Sequence, residues 1–230
     1  MRWKKWDELP AAMQNPQVRP YYDSLQSKRA ALAAKRVFDI VAAIVLLAVL
    51  WPVMAVVALL VFADSPGSVF FRQERVTRYG KVFRIHKFRT MRRESDGQGP
   101  QVTGENDRRV TKIGNILRKY RLDELPQLLD VLTGNMSFVG TRPEVPRFVA
   151  AYTPEMYATL LLPAGITSRT SILFRDESRL LAGAENVEQA YIEKVLPEKM
   201  VHNLQAIKEF GFLRELGTML QTVAAVFKKD

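Results

Sequence analysis

Apolar positions concentrate in one uninterrupted stretch, Ile40 to Ala63, of about 24 residues without a charge. As a helix it is long enough to match a bilayer core of roughly 30 Å. It starts too far into the chain, is too long and lacks the small-residue ending of a cleavable signal peptide, since Phe62-Ala63-Asp64-Ser65-Pro66 closes it. Trp51-Pro52 stands at its centre, where proline removes a backbone donor and kinks a helix. Ahead of it, residues 1–34 are polar, with Pro10, Pro16 and Pro20 followed by an Ala-rich helical run from Ser24 to Ala34. They read as a loosely ordered extension that feeds a helix into the membrane. Its aromatics, Trp3, Trp6, Tyr21 and Tyr22, suit a membrane interface or self-association as a homodimer.

After the stretch, Asp64-Ser65-Pro66-Gly67 is a turn signal. Val69–Gln73 and Val82–Arg89 are strand-like runs, and Tyr79-Gly80-Lys81 between them fits a hairpin turn. Residues 94–106 read as a mobile loop. Thr111–Leu132 has helical periodicity with a break near Arg121-Leu122, and helix signals return at 144–162 and 185–210. From Phe210 to Lys229, the residues Phe212, Leu213, Leu216, Leu220, Val223 and Phe227 share one helical face. That pattern suits a membrane surface or the core. The expected fold is mainly α with a small antiparallel β-hairpin: an extension at 1–34, a membrane segment at 35–64 and a body at 65–230. Repeats and low-complexity tracts are absent.

Charge changes the reading of the apolar stretch. The 230 residues carry 34 Lys and Arg against 24 Asp and Glu, a formal +10, which predicts anionic partners. Both flanks of the stretch are basic: Lys28, Arg29, Lys35 and Arg36 before it, and Arg72, Arg75, Arg78, Lys81, Arg84, Lys87, Arg89, Arg92 and Arg93 after it. Basic flanks stay cytoplasmic, so a crossing leaves one side frustrated, whereas a helix that turns back at Pro52 satisfies both. Asp39 lies at the edge, where it can stay near the interface. The plain alternative is a single-pass anchor with a proline kink. Cysteine is absent and only His86 and His202 occur, so thiolate or histidine zinc sites are excluded; a metal would need carboxylates, which favours magnesium.

The candidate chemistry is at Arg118-Lys119-Tyr120-Arg121-Leu122-Asp123-Glu124-Leu125-Pro126-Gln127-Leu128. Adjacent carboxylates precede a proline that favours a first helical turn, where free N–H groups favour phosphate, and Arg118, Lys119 and Arg121 add positive charge. A carboxylate there can ligate Mg²⁺ or attack phosphorus as a nucleophile; the bland alternative is an acidic helix start complementing the dipole. Downstream, Gly140-Thr141-Arg142-Pro143-Glu144 sets an arginine in a Gly/Pro turn, a fork suited to bidentate phosphate contact or, more blandly, a solvated loop.

Together these stretches resemble the bacterial sugar transferase family, the small monotopic phosphoglycosyl transferases that act on polyprenol phosphate. The matching blocks, in order, are Lys35-Arg36-Val37-Phe38-Asp39 before the Pro-broken segment, Gly67–Gln73, Lys87-Phe88-Arg89-Thr90-Met91, Arg121–Leu128, Gly134–Glu144 and Gly165-Ile166-Thr167. The resemblance covers roughly residues 35 to 227 and implies transfer of a phosphosugar from a UDP-sugar to polyprenol (undecaprenyl) phosphate, releasing UMP. The resemblance implies that this is the first membrane step of building a capsule, O-antigen, exopolysaccharide or glycoprotein glycan. Asp123 is implied as the nucleophile that becomes a covalent phosphosugar–aspartate and as a Mg²⁺ ligand, with Glu124 positioning the metal or handling a proton. Arg118, Arg121, Arg142, Pro143, Lys87 and Arg89 are implied at the phosphates, and Lys35 and Arg36 where the helix enters the headgroups. Trp51 and Pro52 would form the break of a re-entrant helix, with amphipathic helices on the membrane surface. The implied setting is the cytoplasmic face of the bacterial inner membrane, both termini cytoplasmic, in contact with anionic lipids.

Three features depart from the family pattern. Thr141 stands where a proline is frequent, Ser168-Arg169-Thr170-Ser171 replaces Gly-Trp-Ala-Gln in a loop that could help choose the sugar, and residues 1–34 match neither the shortest nor the multi-span members. A rival class, a membrane-tethered basic scaffold or nucleic-acid-binding protein, suits the charge but leaves Asp123 unexplained, so no nucleic-acid partner is expected.

Overall fold

The computed structural model describes residues 3–92, 107–174, 180–181 and 186–227. The expected loop at 94–106 therefore lies outside the described residues, as do Lys228 and Lys229. Short 3₁₀ turns at Trp6–Glu8 and Ala11–Met13 lead to α1 (Arg19–Ser27), followed by the long helix α2 (Arg29–Asp64) with Pro52 in its interior. The hairpin β1 (Phe70–Val76) and β2 (Val82–Phe88) follows. Next come α3 (Lys112–Lys119), a 3₁₀ turn at Leu122–Glu124, α4 (Gln127–Thr133), β3 (Met136–Val139), α5 (Pro146–Val149), β4 (Ala164–Thr167) and α6 (Arg169–Leu173). The chain ends in α7 (Val187–Ala190), α8 (Leu196–Lys208) and α9 (Phe212–Phe227).

The apolar stretch folds as one face of α2 laid on the body. Ala43, Leu46, Leu47 and Leu50 pack with Phe83, Ile85, Leu128, Val131 and Met136, while Met54, Val57, Ala58 and Val61 pack with Phe88, Leu117, Leu122 and Leu125. This seam has helical spacing and continues past Pro52, so residues on both sides of the proline touch the same body. The opposite face is exposed and apolar, including Val37, Val41, Val45, Val49, Trp51, Val56 and Leu59. By length and composition α2 is apolar enough to cross a membrane.

The first residues of α2 are fastened to protein rather than left for headgroups, which corrects the expectation for Lys35 and Arg36. Lys35 is 6% exposed and its Nζ lies 2.6 Å from Glu215 on α9. Arg36 donates to the carbonyls of Val131 (2.6 Å) and Leu132 (2.9 Å), closing the C-terminal end of α4 next to Gly134, whose φ of 82° only glycine adopts freely. Asp39 is equally enclosed, accepting from Ser137 Oγ at 2.8 Å and from the Phe138 N–H.

The extension is not loose. Leu9, Met13, Val18, Tyr21, Tyr22 and Leu25 are buried in one core with Phe148, Tyr191, Leu196, Met200, Leu204 and Phe210, and Trp3 and Trp6 pack against it. Their rings are thus occupied within the chain; Arg78 at the hairpin turn lies 5.1 Å from the Trp3 ring and 4.3 Å from the Tyr79 ring. That turn, Tyr79-Gly80-Lys81, forms where expected, and β1 and β2 pair antiparallel from Phe70↔Phe88 to Val76↔Val82.

A second pairing carries no local signal in the sequence: β3 and β4 run parallel, with Ser137 opposite Gly165 and Val139 opposite Thr167. Beyond β3 the backbones close in until a Cβ on Gly165 would stand 2.2 Å from the Gly140 N, so neither position has room for a side chain. The 144–162 signal yields only α5 and a 3₁₀ stretch at Met156–Leu161, with Pro146 and Pro154 interrupting the run. Residues 185–210 instead split at a π-helical turn, Tyr191–Val195, just before Pro197 removes a donor from the ladder. On α9, Leu213, Leu220 and Val223 face outward, whereas Glu215, Thr218 and Met219 face the body.

Candidate active site

Arg121 takes a left-handed conformation (φ 57°), which ends the α3 segment and turns the chain into the 3₁₀ turn carrying Asp123 and Glu124. Leu122 and Leu125 on either side pack against α2, so the acidic pair is fixed in position relative to the apolar helix. Both carboxylates are buried, at 8% and 7% exposure. Their surroundings differ. Glu124 is clamped: Arg142 meets it with two nitrogens at 2.6 and 3.3 Å, and Lys87 reaches it from β2 at 2.9 Å. Arg121 stands at 3.8 Å on the rim. Asp123 has no hydrogen bond or ion pair of its own among the described residues.

The electrostatics separate the pair. Burial pushes the Asp123 carboxyl up, and the charge of Glu124 adds to that, while Lys87, Arg142 and Arg118 oppose it. Burial would also raise Glu124, but Arg142 and Lys87 outweigh it and hold that carboxyl well below the usual range. Burial pulls Lys87 down against the pull of Glu124, and Glu124 holds the Arg142 guanidinium more firmly charged than usual.

Arg142 owes its direction to the strand pairing. The Gly165 N–H donates to the Thr141 carbonyl at 2.9 Å and the Gly140 N–H to the Thr167 carbonyl at 3.0 Å, which anchors the turn without the proline absent at Thr141. Pro143 is buried and touches the site through its carbonyl, which accepts from Arg75 at 3.0 Å. Arg118 is held by Thr90 Oγ1 at 2.9 Å and interacts with the Asp123 charge.

Of the expected phosphate contacts, Arg89 is elsewhere: it is 3% exposed and donates to the carbonyls of Ser65 and Pro66, fastening the turn that follows α2. Arg75 takes its place near the site. The strand alternation puts it on the inward face with Phe71 and Gln73, and a cation at an inward strand position was the available signal. A buried Asp130 accepting from the backbone and Nδ1 of His86, and a buried Glu144–Tyr191–Lys199 group, were likewise not anticipated.

Around Asp123, then, Lys87, Arg142 and Arg118 outnumber the two carboxylates, so an anionic ligand would neutralise an excess of buried positive charge. No group of three or more metal-ligating side chains occurs among the described residues. With Glu124 committed to two cations, Asp123 is the carboxylate of the pair that could ligate a magnesium ion, whose other ligands would have to come from elsewhere.

A family model described as bacterial sugar transferase matches residues 30–229. A UDP-N-acetylgalactosamine-undecaprenyl-phosphate N-acetylgalactosaminephosphotransferase of Aeromonas hydrophila is 42% identical over 196 residues, 84% of this chain and 43% of that protein. A UDP-glucose:undecaprenyl-phosphate glucose-1-phosphate transferase of Caulobacter vibrioides is 35% identical over 199 residues, 85% of this chain and 70% of its own length. An exopolysaccharide production protein of Rhizobium leguminosarum is 49% identical over 112 residues, 48% of this chain and 56% of its own. The chain thus spans less than half of the Aeromonas relative, and the sugars named in these relatives differ.

Proposed function

The chain belongs to the bacterial sugar transferase family, and on that premise we propose that it transfers a sugar 1-phosphate from a UDP-sugar to polyprenol phosphate, releasing UMP. The observation that carries this reading is the division of labour in the acidic pair: an unpartnered buried Asp123 beside a Glu124 that Arg142 and Lys87 keep ionised. Purified protein incubated with UDP-sugars and a short polyprenol phosphate should release UMP. Full release by Asp123→Asn would overturn the assignment of the nucleophile.

The reaction divides into two displacements. One Asp123 oxygen attacks the phosphorus bonded to the sugar, the bond from that phosphorus to the UMP oxygen breaks, and the electron pair leaves with UMP. A phosphate oxygen of the polyprenol phosphate then attacks the same phosphorus, breaking its bond to Asp123 and restoring the carboxylate. A polyprenyl diphosphate-linked sugar is formed, and no net proton is consumed. Magnesium, when bound, would neutralise phosphate oxygens during these steps. Lys87 and Arg142 offset the charge gathering at the phosphorus, and Glu124 holds both cations at fixed positions, so little reorganisation is needed as charge shifts. Arg75 braces the turn that carries Arg142.

One substrate is soluble and the other confined to a leaflet, so the site must stand at the interface. The two-sided seam of α2, with residues before and after Pro52 resting on one body, supports a re-entrant segment better than a span. Together with the basic flanks it supports a protein on the cytoplasmic face of the inner membrane, in contact with anionic lipids, acting at the first membrane step of a glycan pathway such as exopolysaccharide assembly. The rival reading, a nucleic-acid-binding or scaffold protein, is disfavoured because Lys87, Arg75 and Arg142 are turned inward on the acidic pair.

A further inference from the structure

Gln127 is the least explained polar residue of the site. It is 1% exposed, and neither its Oε1 nor its Nε2 has a hydrogen-bond partner. Buried polar atoms are rarely left this way, because each loses its bonds to water without replacement. The backbone stays right-handed helical from Leu122 through Leu125 and Pro126 into α4, so Glu124, Gln127 and Asp130, each three residues apart, form one row. The outer members of the row are satisfied by neighbouring residues of β2: Glu124 by Lys87, and Asp130 by the backbone and ring of His86. Between them the Gln127 carboxamide has no hydrogen-bonding partner, one turn of helix from Asp123. Asp123, Glu124 and Gln127 are all buried, and the i to i+4 spacing of Asp123 and Gln127 puts the amide and the nucleophile on the same side of this helical stretch.

We propose that Gln127 binds the sugar 1-phosphate portion of the donor, an inference that rests on the phosphosugar-transfer reading above. A carboxamide offers one acceptor and two hydrogens to donate. A sugar 1-phosphate presents the complement side by side: non-bridging phosphoryl oxygens that accept, and ring hydroxyl or amide groups that donate. The charge of the diphosphate is already met by Lys87, Arg142 and Arg118, and a neutral amide adds orientation rather than more charge. The phosphosugar would thereby be held against Asp123 in both displacements, while the uridine portion gains nothing from Gln127.

The test compares Gln127→Leu and Gln127→Met with the full-length protein in detergent, the second variant serving if the first fails to fold. UMP release from the UDP-sugar is measured together with binding of UMP alone and thermal unfolding. The inference expects kcat/KM for the UDP-sugar to fall about 10- to 100-fold, UMP affinity to stay unchanged, and the melting temperature to hold or rise because an unsatisfied amide is removed. Unchanged kcat/KM would overturn it. A melting temperature and UMP affinity that fall together with the rate would overturn it too, by marking Gln127 as a support of the fold. Asp123→Asn is run alongside: full UMP release by that variant defeats the transfer reading itself, whatever Gln127 does.

Discussion

Burial pushes the Asp123 carboxyl up, whereas Arg142 and Lys87 hold its neighbour Glu124 down, although both residues are almost fully enclosed. The signs then lead to separable outcomes. With its folded pKa raised, Asp123 binds a proton more tightly when folded, so its ionisation costs stability as pH rises above the ordinary carboxylate value. Asp123→Asn should therefore abolish transfer yet raise the melting temperature at neutral pH by roughly 2–4 °C, equivalent to about 1 kcal/mol; circular dichroism on both proteins would check this. A fall would contradict it. Because attack needs the carboxylate, the acid limb of the rate profile should lie above the ordinary range of aspartate. Glu124 behaves oppositely: its stabilising contribution is present above its ordinary pKa and is lost only as pH falls through its depressed folded value. The acidic pair and Arg142 are legible in the sequence because they sit in ordered blocks that resemble one family, since each motif alone allows a bland reading. Sequence places Arg89 at the phosphates and Arg75 only in the basic flank, because it does not show that Arg89, just past β2, turns to the Ser65 and Pro66 carbonyls while Arg75 faces inward on β1.

The elements around the pair are coupled through the start of α2. Arg36 closes the end of α4, Lys35 joins α9 through Glu215, and Asp39 holds β3 through Ser137 and Phe138. One helical turn and a half of α2 thus holds the helix after the acidic pair and the strand before Arg142. Replacing Arg36 by alanine removes the donor to the Leu132 carbonyl and leaves the Val131 carbonyl with the Gly134 N–H alone, so a loss of about 1–3 kcal/mol is expected. A lowered melting temperature and reduced UMP release should appear together, and no change in either would show that the cap is dispensable. The helical break before Leu122 and the β1–β2 hairpin could be read from local pattern. The parallel β3–β4 pairing could not, because its strands are four residues each and separated by two dozen residues; its trace is the glycine pair Gly140 and Gly165, which make sense only once the two backbones are seen to meet.

The whole chain is built as a body with one apolar helix laid along it. Residues 3–25, polar in average and broken by prolines, looked loose in sequence because their apolar positions follow no long period, yet they complete the core shared with α8. Removing residues 1–18 should therefore destabilise the catalytic body itself, seen as loss of cooperative unfolding rather than loss of membrane binding alone. The absence of cysteine makes topology easy to address: a single cysteine added at either terminus should react with an impermeant maleimide only after the inner membrane is permeabilised. Labelling of the N-terminal cysteine in intact spheroplasts would exclude the re-entrant arrangement. The chemistry itself is tested by incubating the protein with a UDP-sugar in the absence of any lipid acceptor, followed by peptide mass spectrometry. A phosphosugar adduct on Asp123, discharged by added polyprenol phosphate and missing from Asp123→Asn, is the expected result; UMP release that needs the acceptor and leaves Asp123 unmodified would show a direct transfer instead.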